Sequence, residues 1–110
     1  ISNMFKTTFR LAGVTVGDAQ ENIKKYGCKD IGSFALVREP DNPHDPNAIR
    51  VELAGLYLGY VPRHIAKDLA PVMDEGKRFI ALFVNRNEHP FHDTVGLTVK
   101  IVEYPYQVAA

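Results

Sequence analysis

Cysteine is almost absent from this 110-residue chain. Cys28 stands alone, so no internal disulfide is available and a secreted disulfide framework is excluded. A reducing cytoplasm is the expectation that follows. Its neighbours Lys25, Lys29 and Asp30 read as a solvated turn without a base, so the thiol is taken as a small buried hydrophobe. Tryptophan is missing, and serine occurs only at Ser2 and Ser33. Neither serine lies in a Gly-x-Ser-x-Gly turn, so a hydrolase nucleophile has no seat. The glycines are scattered and build no phosphate-cradling loop. No apolar run approaches the roughly 18 residues of a membrane span. No basic segment leads into an apolar one, so no secretory leader is visible. Net charge is missing as well, with 13 Lys and Arg against 13 Asp and Glu. Coating of long duplex DNA draws its affinity from phosphate neutralisation and is disfavoured; a small site for a few phosphates is not.

What is present fits one globular domain: 45% hydrophobic and 24% charged residues over a length that serves a single core. Residues 5–16 alternate loosely through Phe5, Thr7, Phe9 and Leu11 and read as a first strand, with Gly13 at a bulge or close approach. Asp18 with Glu21 has capping-box spacing for a short helix over 18–26, stopped by Gly27. Residues 33–38, 48–53 and 57–61 read as three more strands, the last two joined by the Ala54-Gly55 turn. Between them, Pro40, Pro43 and Pro46 exclude helix and sheet interior and predict a stiff loop over 39–47. Ile65, Leu69, Val72 and Met73 give a helix over 62–75, started by Pro62 and kinked or split at Pro71. A fifth strand over 79–84, a polar loop over 85–94 and a sixth strand over 96–104 complete the chain. The expected fold is mainly β: a six-stranded barrel with one or two short helices, closed partly by the kinked helix.

Chemistry is thinly marked. His89 and His92 stand three apart, but His44 is distant and cysteine is nearly absent, so a zinc set is not assembled. No catalytic residue, metal ligand or cofactor motif is found. Two segments stand out instead: the stiff loop Arg38–Asn47, and Gly59-Tyr60-Val61-Pro62-Arg63, a strand running into a helix. An aromatic ring, a forked cation and helix-start amides together suit a single-stranded nucleotide. The plainer alternative makes Tyr60 core and Arg63 a solvated charge.

Those two segments carry a family resemblance. Arg38-Glu39-Pro40-Asp41-Asn42-Pro43-His44-Asp45-Pro46-Asn47-Ala48-Ile49, followed by Gly59-Tyr60-Val61-Pro62-Arg63-His64-Ile65-Ala66, resembles the HIRAN domain, whose pattern is R-E-P-x-N-P-x-D-x-N-A-I and then G-x-[VL]-P-[RK]-x-[IL]-A. The domain would span 6–104, with an N-terminal extension over 1–5 and a tail over 105–110. The resemblance implies a modified OB-like barrel, capped by the helix at about 63–75. It also implies a module that captures single-stranded DNA with recognition of a free 3′ hydroxyl, in DNA repair or processing. The family stands alone in bacteria and phages and also forms the N-terminal domain of Swi/Snf-type DNA-dependent ATPases. Carried over by position, Asp45 accepts the terminal hydroxyl and Asn42 adds a polar contact. Arg63 holds a phosphate beside Tyr60, and Phe91 closes the pocket from the last long loop. End-binding members carry tyrosines where this chain has His44 and Arg10. Both replacements can stack on a base through a flat face, but each lost tyrosine platform is worth about 1–3 kcal/mol per stacked base. Asn42 and Asp45, set among prolines, also suit bonds to their own loop.

Three functions are therefore weighed. A single-strand end-binding module brings Arg10, Asn42, His44, Asp45, Tyr60 and Arg63 to one concave face, with a helicase, ATPase or nuclease acting in trans. An assembly domain with a degenerate pocket shows an apolar patch instead. A small metal-dependent hydrolase shows a bound metal.

Overall fold

The computed structural model describes residues 7–103. Six strands and two helices follow one another in the order β1 (Thr8–Arg10), α1 (Ala19–Tyr26), β2 (Ser33–Arg38), β3 (Ile49–Leu53), β4 (Leu56–Tyr60), α2 (Arg63–Asp74), β5 (Phe79–His89) and β6 (His92–Glu103). All strands pair antiparallel in one curled sheet of order β1-β6-β5-β2-β3-β4. Beyond the end of β1 the two edges of that sheet meet. Ala12 and Tyr60 exchange both backbone hydrogen bonds, each 2.8 Å long. The result is an OB-like half-barrel, mainly β as the sequence pattern implies, and this single bridge covers part of two otherwise open edges.

The bridge needs glycine at position 59. A Cβ there would lie 2.8 Å from the Ala12 carbonyl oxygen and 3.0 Å from the Leu11 Cβ. Neither can yield without pulling the edges apart. Gly59→Ala is expected to cost about 2 kcal/mol of stability in urea unfolding, the usual penalty for overpacking; an unchanged midpoint would show that the edges are not held this closely. Gly13 answers a related demand: its φ is +65°, and its carbonyl accepts the Tyr57 hydroxyl at 2.6 Å.

The core lies inside the curl, where alternate residues of each strand point. Phe9, Leu11, Phe34, Ile49, Val51, Leu58, Leu97, Val99 and Ile101 are buried together. Helix α2 adds Leu69, Ala66 and Ala70 to this core, with Ile65, Val72 and Met73 packed against it. Ile65, Leu69, Val72 and Met73 are the residues the helical spacing selects; Ala66 and Ala70 join them. Pro71 does not split the helix, which runs unbroken from Arg63 to Asp74. It sits in the last turn, so the ring costs one helical hydrogen bond near an end whose last carbonyls already lack helical partners.

Several elements differ from the sequence-based expectation. The first strand is three residues long, because the chain turns at Gly13 to reach β4; Phe5 lies outside the described residues. Asp18 precedes α1 but makes no side-chain cap, so the capping box does not form. Helix α1 is held by tertiary bonds instead. The Gln20 amide brackets Val95, donating to its carbonyl at 2.9 Å and accepting from its N–H at 2.8 Å. The largest difference is the polar stretch over 85–94. It is not a loop but the far half of a β5–β6 hairpin, paired as far as His89 and His92 and bulged at two places. Strand alternation is visible only where one face is buried. Over 85–94 no residue is buried, and backbone pairing persists without an apolar signature.

Candidate nucleic-acid interface

The stiff loop between β2 and β3 is built by side chains bonding to their own backbone. Asn42 Oδ1 accepts the N–H of His44 at 2.8 Å and of Asp45 at 3.2 Å, an Asx-type turn. Asp45 Oδ1 accepts the Asn47 N–H at 2.9 Å. Arg38 closes the loop from below. Its guanidinium donates to the carbonyls of Ala48 at 2.8 Å and Pro46 at 3.0 Å, and grips Asp74 of α2 through both oxygens at 2.9 and 3.1 Å. That grip holds the Asp74 carboxyl below the ordinary carboxylate range. The spacing of Arg, Asn and Asp in the motif thus has a mechanical meaning: each residue fixes one part of the loop's path.

Glu39, to which the sequence reading assigns no role, is the hub beneath this loop. Its Oε1 accepts the Tyr60 hydroxyl at 2.6 Å and the Asn42 amide at 3.0 Å, and Arg50 lies 3.8 Å from its other oxygen. Burial pushes the carboxyl up, but the two hydrogen bonds and the Arg50 charge outweigh it and leave it below the usual value. Across the bond, burial and then Glu39 push the Tyr60 phenol up to about 12. Tyr57 is raised chiefly by burial. The only sequence sign of this hub is an acid at the end of a strand. The register that brings Arg50 opposite Tyr60 is tertiary information.

These groups have opposite pH signatures. Glu39, with its pKa lowered by folding, contributes stability above the ordinary carboxylate pKa that is lost as pH falls through the lower folded value. Tyr60, with its pKa raised, contributes stability below the ordinary phenol value of 10.0 that is lost as pH rises towards about 12. An ultraviolet titration of phenolate should therefore show a late step that Tyr60→Phe removes. Glu39→Gln should flatten the acid limb of the stability profile.

Above the hub lies a hollow of about 400 Å³. Asn42, His44, Asp45, Tyr60 and Arg63 line it together with Ala12, Val16 and Val61. Arg63 stands at the first position of α2, with its side chain 72% exposed. It donates to the His44 carbonyl and lies 3.7 Å from Asp45 Oδ2. Pro62 supplies no capping oxygen to the helix start beside it. Five of the seven candidate residues thus converge. Within that set Asn42 is spent on its own loop, while His44 is exposed and Asp45 keeps one oxygen turned to Arg63. Arg10 and Phe91 lie elsewhere. Arg10 lines a separate polar hollow with Arg86, His89 and His92. Phe91 is 85% exposed at the hairpin turn, its ring 5.7 Å from that of His89. Among the described residues no three His, Cys, Asp or Glu side chains are placed to hold a metal ion.

A family model described as the HIRAN domain matches residues 8–103. The chain is a HIRAN domain. The family is generally implicated in nucleic-acid binding during DNA repair. In the domain's stiff loop and helix start, the motif residues are the ones that shape the hollow. Curated relatives share shorter stretches. A Fanconi-associated nuclease 1 homolog from Oryza sativa subsp. japonica is 50% identical over 46 residues, 38% of this chain and 5% of the relative. The helicase-like transcription factor of Oryctolagus cuniculus is 49% identical over 41 residues, 36% of this chain and 4% of the relative. The HIRAN chain thus spans only about a twentieth of the curated relatives it matches. Its fold is shared with a crystal structure of a protein from Lactobacillus plantarum, with TM-score 0.71 and 23% identity over 87% of this chain and 89% of that one. It is shared also with the HIRAN domain of human HLTF, with TM-score 0.61 and 21% identity over 89% of this chain and 74% of that one. No helix among the described residues is long and apolar enough to cross a membrane.

Proposed function

We propose that this HIRAN domain binds the end of single-stranded DNA and performs no chemistry itself. The supporting observation is the hollow in which an exposed cation, Arg63, an acceptor, Asp45, and a flat ring, Tyr60, face one another. Arg63 and the uncapped helix start suit a phosphate. Tyr60 suits the base, with exposed His44 on the same hollow in place of the family's tyrosine. Asp45 suits the free 3′ hydroxyl, accepting through the oxygen that faces Arg63. Asn42 and Glu39 act by holding the loop and the Tyr60 ring. A nuclease and a helicase-like factor among the relatives support a role in DNA processing. In that role the motor or nuclease is a separate domain or partner.

Fluorescence anisotropy with a labelled single-stranded oligonucleotide tests the reading. An oligonucleotide with a free 3′ hydroxyl should bind more tightly than the same strand with a 3′ phosphate, and Asp45→Asn should erase the difference. Equal binding of the two ends would reduce the function to single-strand binding without end recognition. No binding at high protein concentration would favour the assembly-domain alternative.

A further inference from the structure

Next to the hollow at Arg63 lies another, of about 370 Å³, which Tyr60 also lines. Tyr60 and Val16 line both, so the two hollows are neighbours that share an aromatic side chain. The second is floored by flat groups. The Tyr57 ring packs against that of Tyr60 with centroids 5.5 Å apart, and the Arg50 guanidinium lies over the Tyr57 ring at 5.0 Å. The Arg50 charge is already answered, with Glu52 2.7 Å from its Nε and Glu39 3.8 Å from its Nη1. Asp18 adds a carboxylate at the rim that caps no helix amide. A phosphate finds no surplus positive charge here. A base finds stacking surfaces and a carboxylate that can only accept hydrogen bonds.

The geometry points to this second hollow as the seat of the next base of the bound strand, with preference for a base carrying an amino group. A strand crossing Tyr60 would keep its phosphate at Arg63 on one side and lay the neighbouring base on Tyr57 and Arg50 on the other. Asp18 accepts from an exocyclic amino group, as carboxylates do from cytosine N4; thymine has none to offer. The inference rests on the proposed single-strand reading and adds its second subsite and base preference.

Two variants test it. Leu56 is 39% exposed and lines the second hollow but not the first, so Leu56→Glu brings a charge to that seat alone. The affinity advantage of a tetranucleotide over a deoxynucleoside monophosphate should shrink about tenfold in Leu56→Glu, a loss typical of one stacked base. Tetranucleotides differing only at the penultimate position should bind several-fold more tightly with cytosine than with thymine, and Asp18→Asn should remove that preference. Circular dichroism and thermal melting of both variants should match the parent. If the parent binds oligonucleotides, yet the length advantage survives in Leu56→Glu and cytosine and thymine bind alike, the second subsite is refuted while the single-strand reading stands. If the parent binds no oligonucleotide, both fall together.

Discussion

Arg63→Glu is expected to weaken single-strand binding by on the order of a hundredfold while leaving the fold intact. The side chain is 72% exposed, and what it touches is the His44 carbonyl and Asp45, both on the rim of the hollow. Little packing is lost, so unfolding in urea should change by less than about 1 kcal/mol. Binding is another matter. A charge-assisted bond to phosphate is lost, and a carboxylate takes its place beside Asp45 and the incoming phosphate. Together these are worth about 2–3 kcal/mol even at a largely exposed site, and about 1.4 kcal/mol is a factor of ten. The salt dependence gives an independent signature. Each phosphate neutralised on a single strand contributes about 0.7 to the slope of log affinity against log salt. Arg63→Glu should lower the slope by about that amount, and Arg63→Lys should preserve the slope while losing the forked geometry. A variant with parental affinity and parental slope would remove Arg63 from the interface.

Arg38→Ala has the largest effect expected on stability, about 3 kcal/mol, with binding lost as a consequence. The side chain is only 14% exposed, and its guanidinium makes bonds to two loop carbonyls as well as the fork to Asp74. A hydrogen bond from a charged donor contributes about 1.5–3 kcal/mol. A domain of this kind is stable by only about 5–15 kcal/mol in total. The carbonyl bonds matter most, because they close the segment that carries Asn42, His44 and Asp45. The fork reaches a largely exposed Asp74, so Asp74→Asn should do less harm than Arg38→Ala. Denaturant midpoints for the two variants, measured beside the parent, decide this order. Equal losses would mean that the loop is held through α2 rather than through its own carbonyls.

The two variants separate two kinds of motif residue that look alike in a sequence. Arg38, Glu39 and Asn42 face inward to the loop, and Arg63 and His44 face outward from it. Spacing alone places both kinds in one string of polar letters. The hydrogen-bond partners tell them apart: Asn42 spends its oxygen on two loop amides and its amide on Glu39, whereas most of the Arg63 side chain meets solvent.

Much of the architecture is legible in the residues. Strand β2, the proline-stiffened loop and helix α2 follow from alternation, from three prolines and from the spacing of Ile65, Leu69, Val72 and Met73. The hairpin end over 85–94 is not legible, because none of its residues is buried and backbone pairing alone needs no apolar pattern. The uncapped start of α1 is not legible either. Gln20 and Val95, 75 residues apart, hold that helix in place of a local cap.

The sequence by itself determines a mainly β fold with a rigid loop and a basic helix start in the order of the HIRAN motif. These are local properties: periodicity, the fixed φ of proline, and residue types at set offsets. The site itself is decided only in three dimensions. Closure at Ala12 and Tyr60 brings the first strand's end to β4, and the β3–β4 register sets Arg50 against Tyr60. The hub at Glu39 forms from that register. The same closure leaves Arg10 in a different hollow from Arg63, though both are cations near the motif's expected face. Pairings between strands distant in sequence depend on the packing of the whole core, and no local pattern encodes which side chains they will bring together.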